Sequence, residues 1–363
     1  MFIAITPENY WPLGSTIQKT FTNLNVGSGY EHFGILLVNP LDGHMIMVYR
    51  KGTAYVGSIG SIYIRHSGDG GANWSNESLL MSEQNVDLRN IAGGYVSNGR
   101  LIVFYARYQN SSTWLSINYI TSTNNGDSWS SPQSAYNQPG NTGFSPYGNV
   151  IDFGTGLLYQ TWYEVDGGTY SLRYSKSYDG GGTFSPINIS TIYSSNNPFT
   201  EPSMVNLGGG CLLVLARING GTCFAQFRST DFGNNWTGPE YTNFETWSNG
   251  QNMPWLSFIN YQGVGIVACY YTRRDASPYK VNVVYGLASD IINNGISGWK
   301  SATIKEVCSS TSGYRSGYQS FYHPNFQFKG IGLYFDCSAI SSYPKIIYTP
   351  VSGLMDILSE LMP

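Results

Sequence analysis

An all-β fold, a six-bladed β-propeller of four-stranded antiparallel blades, is predicted from the sequence by a repeated box, a recurring hairpin and an unusual composition. The pattern Ser-x-Asp-x-Gly-x-x-Trp reads Ser67-Gly-Asp-Gly-Gly-Ala-Asn-Trp74, Ser122-Thr-Asn-Asn-Gly-Asp-Ser-Trp129, Ser177-Tyr-Asp-Gly-Gly-Gly-Thr-Phe184 and Ser229-Thr-Asp-Phe-Gly-Asn-Asn-Trp236. The boxes start 55, 55 and 52 residues apart, a spacing that suits a propeller blade better than a helical repeat. Each box follows two apolar strands joined by a Gly-containing turn, and Asp-Gly or Asn-Gly between alternating hydrophobics is a strong short-range hairpin signal. Only 11% of the 363 residues are charged, while Gly (43) and Tyr (29) abound, as expected of many short strands joined by tight turns.

The units are taken in chain order. The first runs Gly34-Ile-Leu-Leu-Val-Asn-Pro-Leu-Asp-Gly-His-Met-Ile-Met-Val-Tyr-Arg50, and the second Ala92-Gly-Gly-Tyr-Val-Ser-Asn-Gly-Arg-Leu-Ile-Val-Phe-Tyr-Ala-Arg107. The third spans Tyr147 to Glu164 and the fourth Glu201 to Arg217. The fifth runs from Met253 to Arg273 with a decayed box ending at Trp299, and the sixth from Tyr318 to Pro350. The sixth unit has no box and lacks an outer strand, so an N-terminal segment, Thr16-Ile-Gln-Lys-Thr-Phe21, is expected to supply it and close the ring, leaving no open sheet edge. One domain over residues 1–350 results. The tail 351–363 spaces Leu354, Ile357, Leu358 and Leu361 as a short helix, expected to pack on the propeller or to join a neighbouring subunit.

Charge and motif content exclude several functions. A net charge of −3 and the absence of any Lys/Arg run argue against nucleic acid or an anionic membrane as partner. No apolar run reaches the length of a membrane span and no leader pattern is visible, so an extracellular or particle-associated location is favoured over the cytoplasm only by composition. The five cysteines (Cys211, Cys223, Cys269, Cys308, Cys337) are scattered and read as small buried hydrophobes. His32, His44, His66 and His323 show no metal-ligand spacing, and no phosphate or dinucleotide loop occurs, so no cofactor is expected.

Within the box, the Asp side chain accepts backbone N–H groups across a tight turn and the Trp packs beneath it. Asn124 replaces Asp in the second copy, a swap that a turn tolerates and acid catalysis does not. These aspartates are therefore structural. The pattern resembles the bacterial-neuraminidase repeat, or Asp-box, of the sialidase superfamily, over roughly residues 30 to 350. That resemblance implies a propeller, and its members include sialidases, other glycosidases and binding propellers.

Aligning the six units on their second strands places Arg50, Arg107, Glu164, Arg217, Arg273 and Asp336 at the strand ends, where a common mouth would gather four arginines and two carboxylates. First strands add Arg89, Glu201 and Tyr318, with His323 behind. The segment Glu201–Arg217 is similar to the sialidase segment in which a Glu and, one hairpin later, an Arg face the site. By that resemblance Glu201 is the base that activates a tyrosine, Tyr318 is that nucleophile, and Arg217 with Arg273 or Arg274 clamps a substrate carboxylate. A tyrosine nucleophile and guanidinium forks both suit an anionic sugar.

Two features of sialidases are missing. The Phe/Tyr-Arg-Ile-Pro arginine has no counterpart in Glu31-His-Phe-Gly-Ile-Leu-Leu-Val38, the nearest look-alike being Arg89 one unit later. The following loop, Lys51-Gly-Thr-Ala-Tyr-Val-Gly-Ser-Ile-Gly-Ser61, contains no acid. Glu164, Asp87, Asp166, Asp275 and Asp336 are substitute carboxylates, with Glu201 and Glu164 the first pair to consider. Loop tyrosines and tryptophans supply flat faces for sugar rings. The expected activity is sialidase-like hydrolysis of an acidic glycan; the alternatives are a non-catalytic glycan-binding propeller, such as a virus or phage attachment protein, and a scaffold.

Overall fold

The structure, a computed structural model, describes residues 17–20, 30–109, 113–137, 143–243, 253–273, 279–300, 305–309, 317–322, 330–337, 342–349 and 361. After β1 (Ile17–Thr20) come β2 (Tyr30–Val38), β3 (Met45–Gly52), β4 (Gly60–Ser67) and β5 (Ser78–Met81). The second unit is β6 (Val86–Tyr95), β7 (Leu101–Gln109), β8 (Thr113–Ser122) and β9 (Gln133–Tyr136). The third is β10 (Gly143–Asp152), β11 (Leu158–Asp166), β12 (Thr169–Ser177) and β13 (Ile189–Ser195), and the fourth is β14 (Phe199–Gly208), β15 (Cys211–Ile218), β16 (Phe224–Ser229) and β17 (Thr237–Tyr241). The fifth is β18 (Trp255–Tyr261), β19 (Val264–Arg273), β20 (Lys280–Leu287) and β21 (Lys305–Ser309), and the last strands are β22 (Gly317–Tyr322), β23 (Gly330–Cys337) and β24 (Ser342–Thr349).

Within each unit consecutive strands pair antiparallel, as the short hairpins require. β1 lies antiparallel on β24, Ile17 opposite Tyr348 and Thr20 opposite Lys345. The segment expected to serve as a fourth strand for the last unit is thus paired with it. The first strands β2, β6, β10 and β14 are largely buried, β2 at every position. With β18 and β22 they line one cavity of about 260 Å³ between Leu36–Val38, Gly94–Tyr95, Asn149–Asp152, Met204–Asn206, Leu256–Phe258 and Tyr322. Neighbouring first strands are stitched by serines: Ser203 Oγ accepts the Leu256 N–H and Ser320 Oγ accepts the Leu36 N–H, both at 2.9 Å. The second of these links the last unit to the first.

The boxes are turns, each closed by the same hydrogen bonds. Asp231 Oδ1 accepts the Asn235 N–H at 2.9 Å and the Ser229 hydroxyl at 2.8 Å, while Ser229 Oγ accepts the Gly233 N–H at 2.9 Å. The Asn235 N–H is foremost in holding the Asp231 carboxyl below its usual range. Asn124 Oδ1 does the same work, accepting the Ser128 N–H at 3.0 Å. The tryptophans donate back to the turn, Trp74 Nε1 to Gly71 O and Trp129 Nε1 to Gly126 O, each at 2.9 Å.

Where a fifth box was expected, the chain forms a short helix, α1 (Ala288–Asn294), and a 3₁₀ turn over 295–298. Gly295, with φ at 62°, ends that helix. Trp299 still anchors the turn, buried, with Nε1 donating to Gln226 Oε1 at 2.7 Å. Cys269 is the buried hydrophobe expected of it, its thiol pushed up by burial, whereas Cys211 and Cys223 are half-exposed. Of the tail, only Leu361 lies among the described residues; it is buried in the main core cluster.

Candidate functional site

The chemistry-bearing residues are organised by a bulge. Against its second strand, the first strand slips between His32 and Ile35, Arg89 and Ala92, Tyr147 and Ile151, Thr200 and Ser203, and Gly317 and Ser320. β18 runs against β19 without interruption. The first bulge residue is left-handed in four units: Phe33 (φ 54°), Asn90 (57°), Gly148 (76°) and Glu201 (49°). Bulges re-aim side chains and recur beside active sites, and a non-Gly residue at positive φ carries backbone strain. In β22 the register puts Tyr318 at that same first bulge position; its side chain lies outside the described residues, as do Arg274, His323, Asp275 and the Asp336 side chain.

Glu201 is 5% exposed. Arg217, across the pair from Thr200, donates through Nη1 to both carboxylate oxygens, at 3.1 and 3.0 Å. The Tyr147 hydroxyl lies 3.5 Å from Oε1. A carboxylate between a guanidinium and a phenol is thus built where the first and second strands of the fourth unit meet. Tyr147 was missed in the sequence because it ends no second strand. It directly precedes the bulge, as do His32, Arg89 and Thr200, and alignment on that position would have found it.

The five strand-end residues whose strands face a bulge do not share one depth, which corrects the alignment made on strand ends. Counting from the residue facing the bulge, Arg50 and Arg217 stand one position on, Arg107 and Asp336 two, and Glu164 four. Side chains alternate along a strand, so a one-residue offset turns the group to the other face.

Their partners follow from this. Arg50 is fully buried and offers no donor to a ligand, a correction to its expected place in the mouth: Nε meets Asp87 Oδ1 at 2.7 Å. Asp87, also fully buried, holds Arg89 through Oδ2 at 3.3 Å and accepts the Gly60 N–H at 3.0 Å. It is an ion-pair hub and not a free acid. Arg89 sits over the Tyr108 ring at 3.7 Å. Arg107 forks onto Glu83 and reaches Ser116 Oγ at 3.0 Å, with Glu83 39% exposed. Glu164 is buried against Arg173, 2.5 Å between Oε2 and Nε. Arg273 ends β19, half-buried, opposite Lys280.

One further buried carboxyl escaped the sequence reading. Glu31 is fully buried, 3.5 Å from Lys51 Nζ, which also meets Glu77 at 2.6 Å. The Tyr49 hydroxyl donates to Glu77 at 2.6 Å and accepts from Arg65 Nε at 3.1 Å. Burial, then the Glu77 charge, pushes Glu31 up to about 7, against the pull of Lys51 and Arg65. Among the described residues no group of three or more His, Cys, Asp or Glu is placed to hold a metal ion, and no helix is long and apolar enough to cross a membrane.

Comparison with known proteins agrees with this architecture. Residues 44–257 match the model of the BNR repeat-like domain. No curated protein matches the sequence. Among solved structures, Trypanosoma rangeli sialidase in complex with the inhibitor DANA superposes with a TM-score of 0.66 at 16% identity, covering 91% of this chain and 56% of that one. A Hadza microbial sialidase gives 0.69 at 15% identity, over 89% of this chain and 66% of the other. A Dyadobacter fermentans protein of unknown function gives 0.72 at 14%, over 89% and 95%. This chain therefore spans little more than half the length of the trypanosomal enzyme it resembles. At such identities the superpositions speak for fold. The family match and the shared fold together establish that the chain belongs to the BNR repeat-like domain family, on the sialidase fold.

Proposed function

We propose that the six units close into a six-bladed propeller completed by β1, and that its bulge-lined mouth binds an acidic glycan and hydrolyses a glycosidic bond. Closure is supported by the six first strands around one cavity, the β1–β24 pairing and the Leu36–Ser320 bond. One observation carries the chemistry: Glu201 and Tyr318 occupy the same bulge position in their units, and Glu201 is already oriented by Arg217. In this reading Tyr318 attacks the anomeric carbon while Glu201 takes the phenol proton, since free Tyr, with a pKa of about 10, is otherwise a weak nucleophile. The bond to the aglycone oxygen breaks, that oxygen leaves protonated by water, and a second water then cleaves the tyrosyl–sugar bond and returns the phenol. Arg217, Arg273, Arg274 and Arg89 supply donors for the sugar carboxylate.

A second reading, a glycan-binding propeller without turnover, is favoured by the acid-free loop 51–61 and by the pairing of Asp87, Glu83 and Glu164 with arginines. An attachment role on an extracellular or virion surface belongs to that reading. A glycan array together with a 4-methylumbelliferyl sialoside assay separates the two. Turnover that is lost in Tyr318→Phe and Glu201→Gln supports the hydrolase. Binding without turnover supports the attachment reading, and the absence of both removes each of them.

A further inference from the structure

We propose that the loop of residues 53–59 presents Tyr55 as a stacking platform for a neutral sugar ring of the bound glycan, a subsite held in place by the buried Arg50–Asp87 pair. The proposal rests on the glycan reading above.

The loop joins β3 to β4 between two glycines that face each other, Gly52 and Gly60. The Arg50 guanidinium fills the space a side chain would need there. A Cβ on Gly60 would lie 2.4 Å from Arg50 Nε, and one on Gly52 would lie 2.8 Å from Nη1. From beneath the loop, Arg50 donates to Ala54 O at 3.1 Å and to Ser58 O at 2.8 Å, while Ser58 Oγ accepts the Ala54 N–H at 3.0 Å. The loop is thus tied at both ends to a guanidinium that is itself locked on Asp87. Such preorganisation lowers the ordering cost of binding.

Two of the four exposed residues of this loop are aliphatic. Val56 and Ile59 are 46% and 45% exposed. Tyr55 is half-buried with one face stacked on His32, ring centroids 4.4 Å apart at 20°. Phe33 and Tyr30 stand at 5.4 and 6.3 Å from the Tyr55 ring. Phe33 is the first unit's bulge residue, the counterpart of Glu201 and Tyr318, so the backing of Tyr55 belongs to the ring of bulges that carries the proposed chemistry. Burial foremost, then the Arg50 charge, holds the His32 imidazole neutral. A flat ring on an uncharged stack matches the C–H face of a hexopyranose and gives a carboxylate nothing to pair with.

The experiment is a glycan array of sialylated and neutral oligosaccharides, followed by calorimetric titration of the brightest glycan against the parent, Tyr55→Ala, Tyr55→Phe and Tyr55→Trp. Melting curves confirm folding of each variant. Tyr55→Ala is expected to bind about fivefold more weakly, the value of one aromatic contact, with Phe and Trp within about twofold of the parent. Binding by Tyr55→Ala within twofold of the parent overturns the subsite alone, as does a Phe variant as weak as the Ala variant. A parent that binds nothing on the array removes the glycan reading, and the subsite with it.

Discussion

Arg217 donates from a single nitrogen to both carboxylate oxygens of Glu201, at 3.1 and 3.0 Å, while Glu201 holds a left-handed backbone with φ at 49°. The carboxylate is therefore positioned at a cost to the chain. Glycine adopts this conformation freely, so Glu201→Gly is expected to be more stable than Glu201→Ala by about 1 kcal/mol, although both lose the carboxylate. Urea denaturation of the two variants measures the difference. Equal stabilities, or the reverse order, would show that the bulge is not strained.

The ion pairs differ in what they hold together. Asp87→Ala leaves Arg50 and Arg89 uncompensated in the interior and is expected to cost about 3 to 5 kcal/mol. Arg107→Ala breaks a solvent-accessible, half-buried pair with Glu83 and is expected to cost about 1 kcal/mol. Denaturation midpoints compare them directly, and similar losses would contradict the burial argument.

The box aspartates are expected to affect stability and not chemistry. Asp179 Oδ1 accepts the Thr183 N–H at 2.9 Å and the Ser177 hydroxyl at 2.7 Å, bonds that an amide oxygen reproduces, as Asn124 does in its own box. Asp179→Asn should lie within about 0.5 kcal/mol of the parent and Asp179→Ala about 1 kcal/mol below it. Thermal melts test this; an Asn variant as unstable as the Ala variant would give the charge itself a role.

Glu31 predicts a pH dependence. Its carboxyl rises from 4.5 to about 7 on folding, so between those values the folded chain binds the proton that the unfolded chain has released. Stability from this group is full below pH 4.5 and is lost as pH rises to about 7, by about 3 kcal/mol at most, with no further change above. Glu31→Gln removes the slope. Denaturation at pH 5 and pH 8 reads the difference, and a parent no less stable at pH 8 than Glu31→Gln would sink the assignment.

Much of the architecture was legible in the sequence because it rests on local chemistry. The box residues Ser229, Asp231 and Gly233 close a turn with bonds two to four residues apart, so their spacing alone announced it. The pairing of the 17–20 segment with the last unit followed from a missing strand. Glu201 and Arg217 stood out in the sequence because one hairpin joins them, but that they bond to each other is seen in the structure alone.

The remainder depended on register and on neighbours distant in the chain. That Arg107 falls one position off from Arg50 and Arg217 is decided by where each first strand bulges. One residue of slip reverses a side chain, and no composition records it. Arg50 finds Asp87, and Leu36 finds Ser320, across gaps of 37 and 284 residues. The sequence by itself determined the repeat, the hairpins and which residues carry charge, because those are short-range properties of the chain. Only the tertiary structure decided which charges neutralise one another in the interior and which stand at the bulges, because burial and pairing exist only once distant strands have packed.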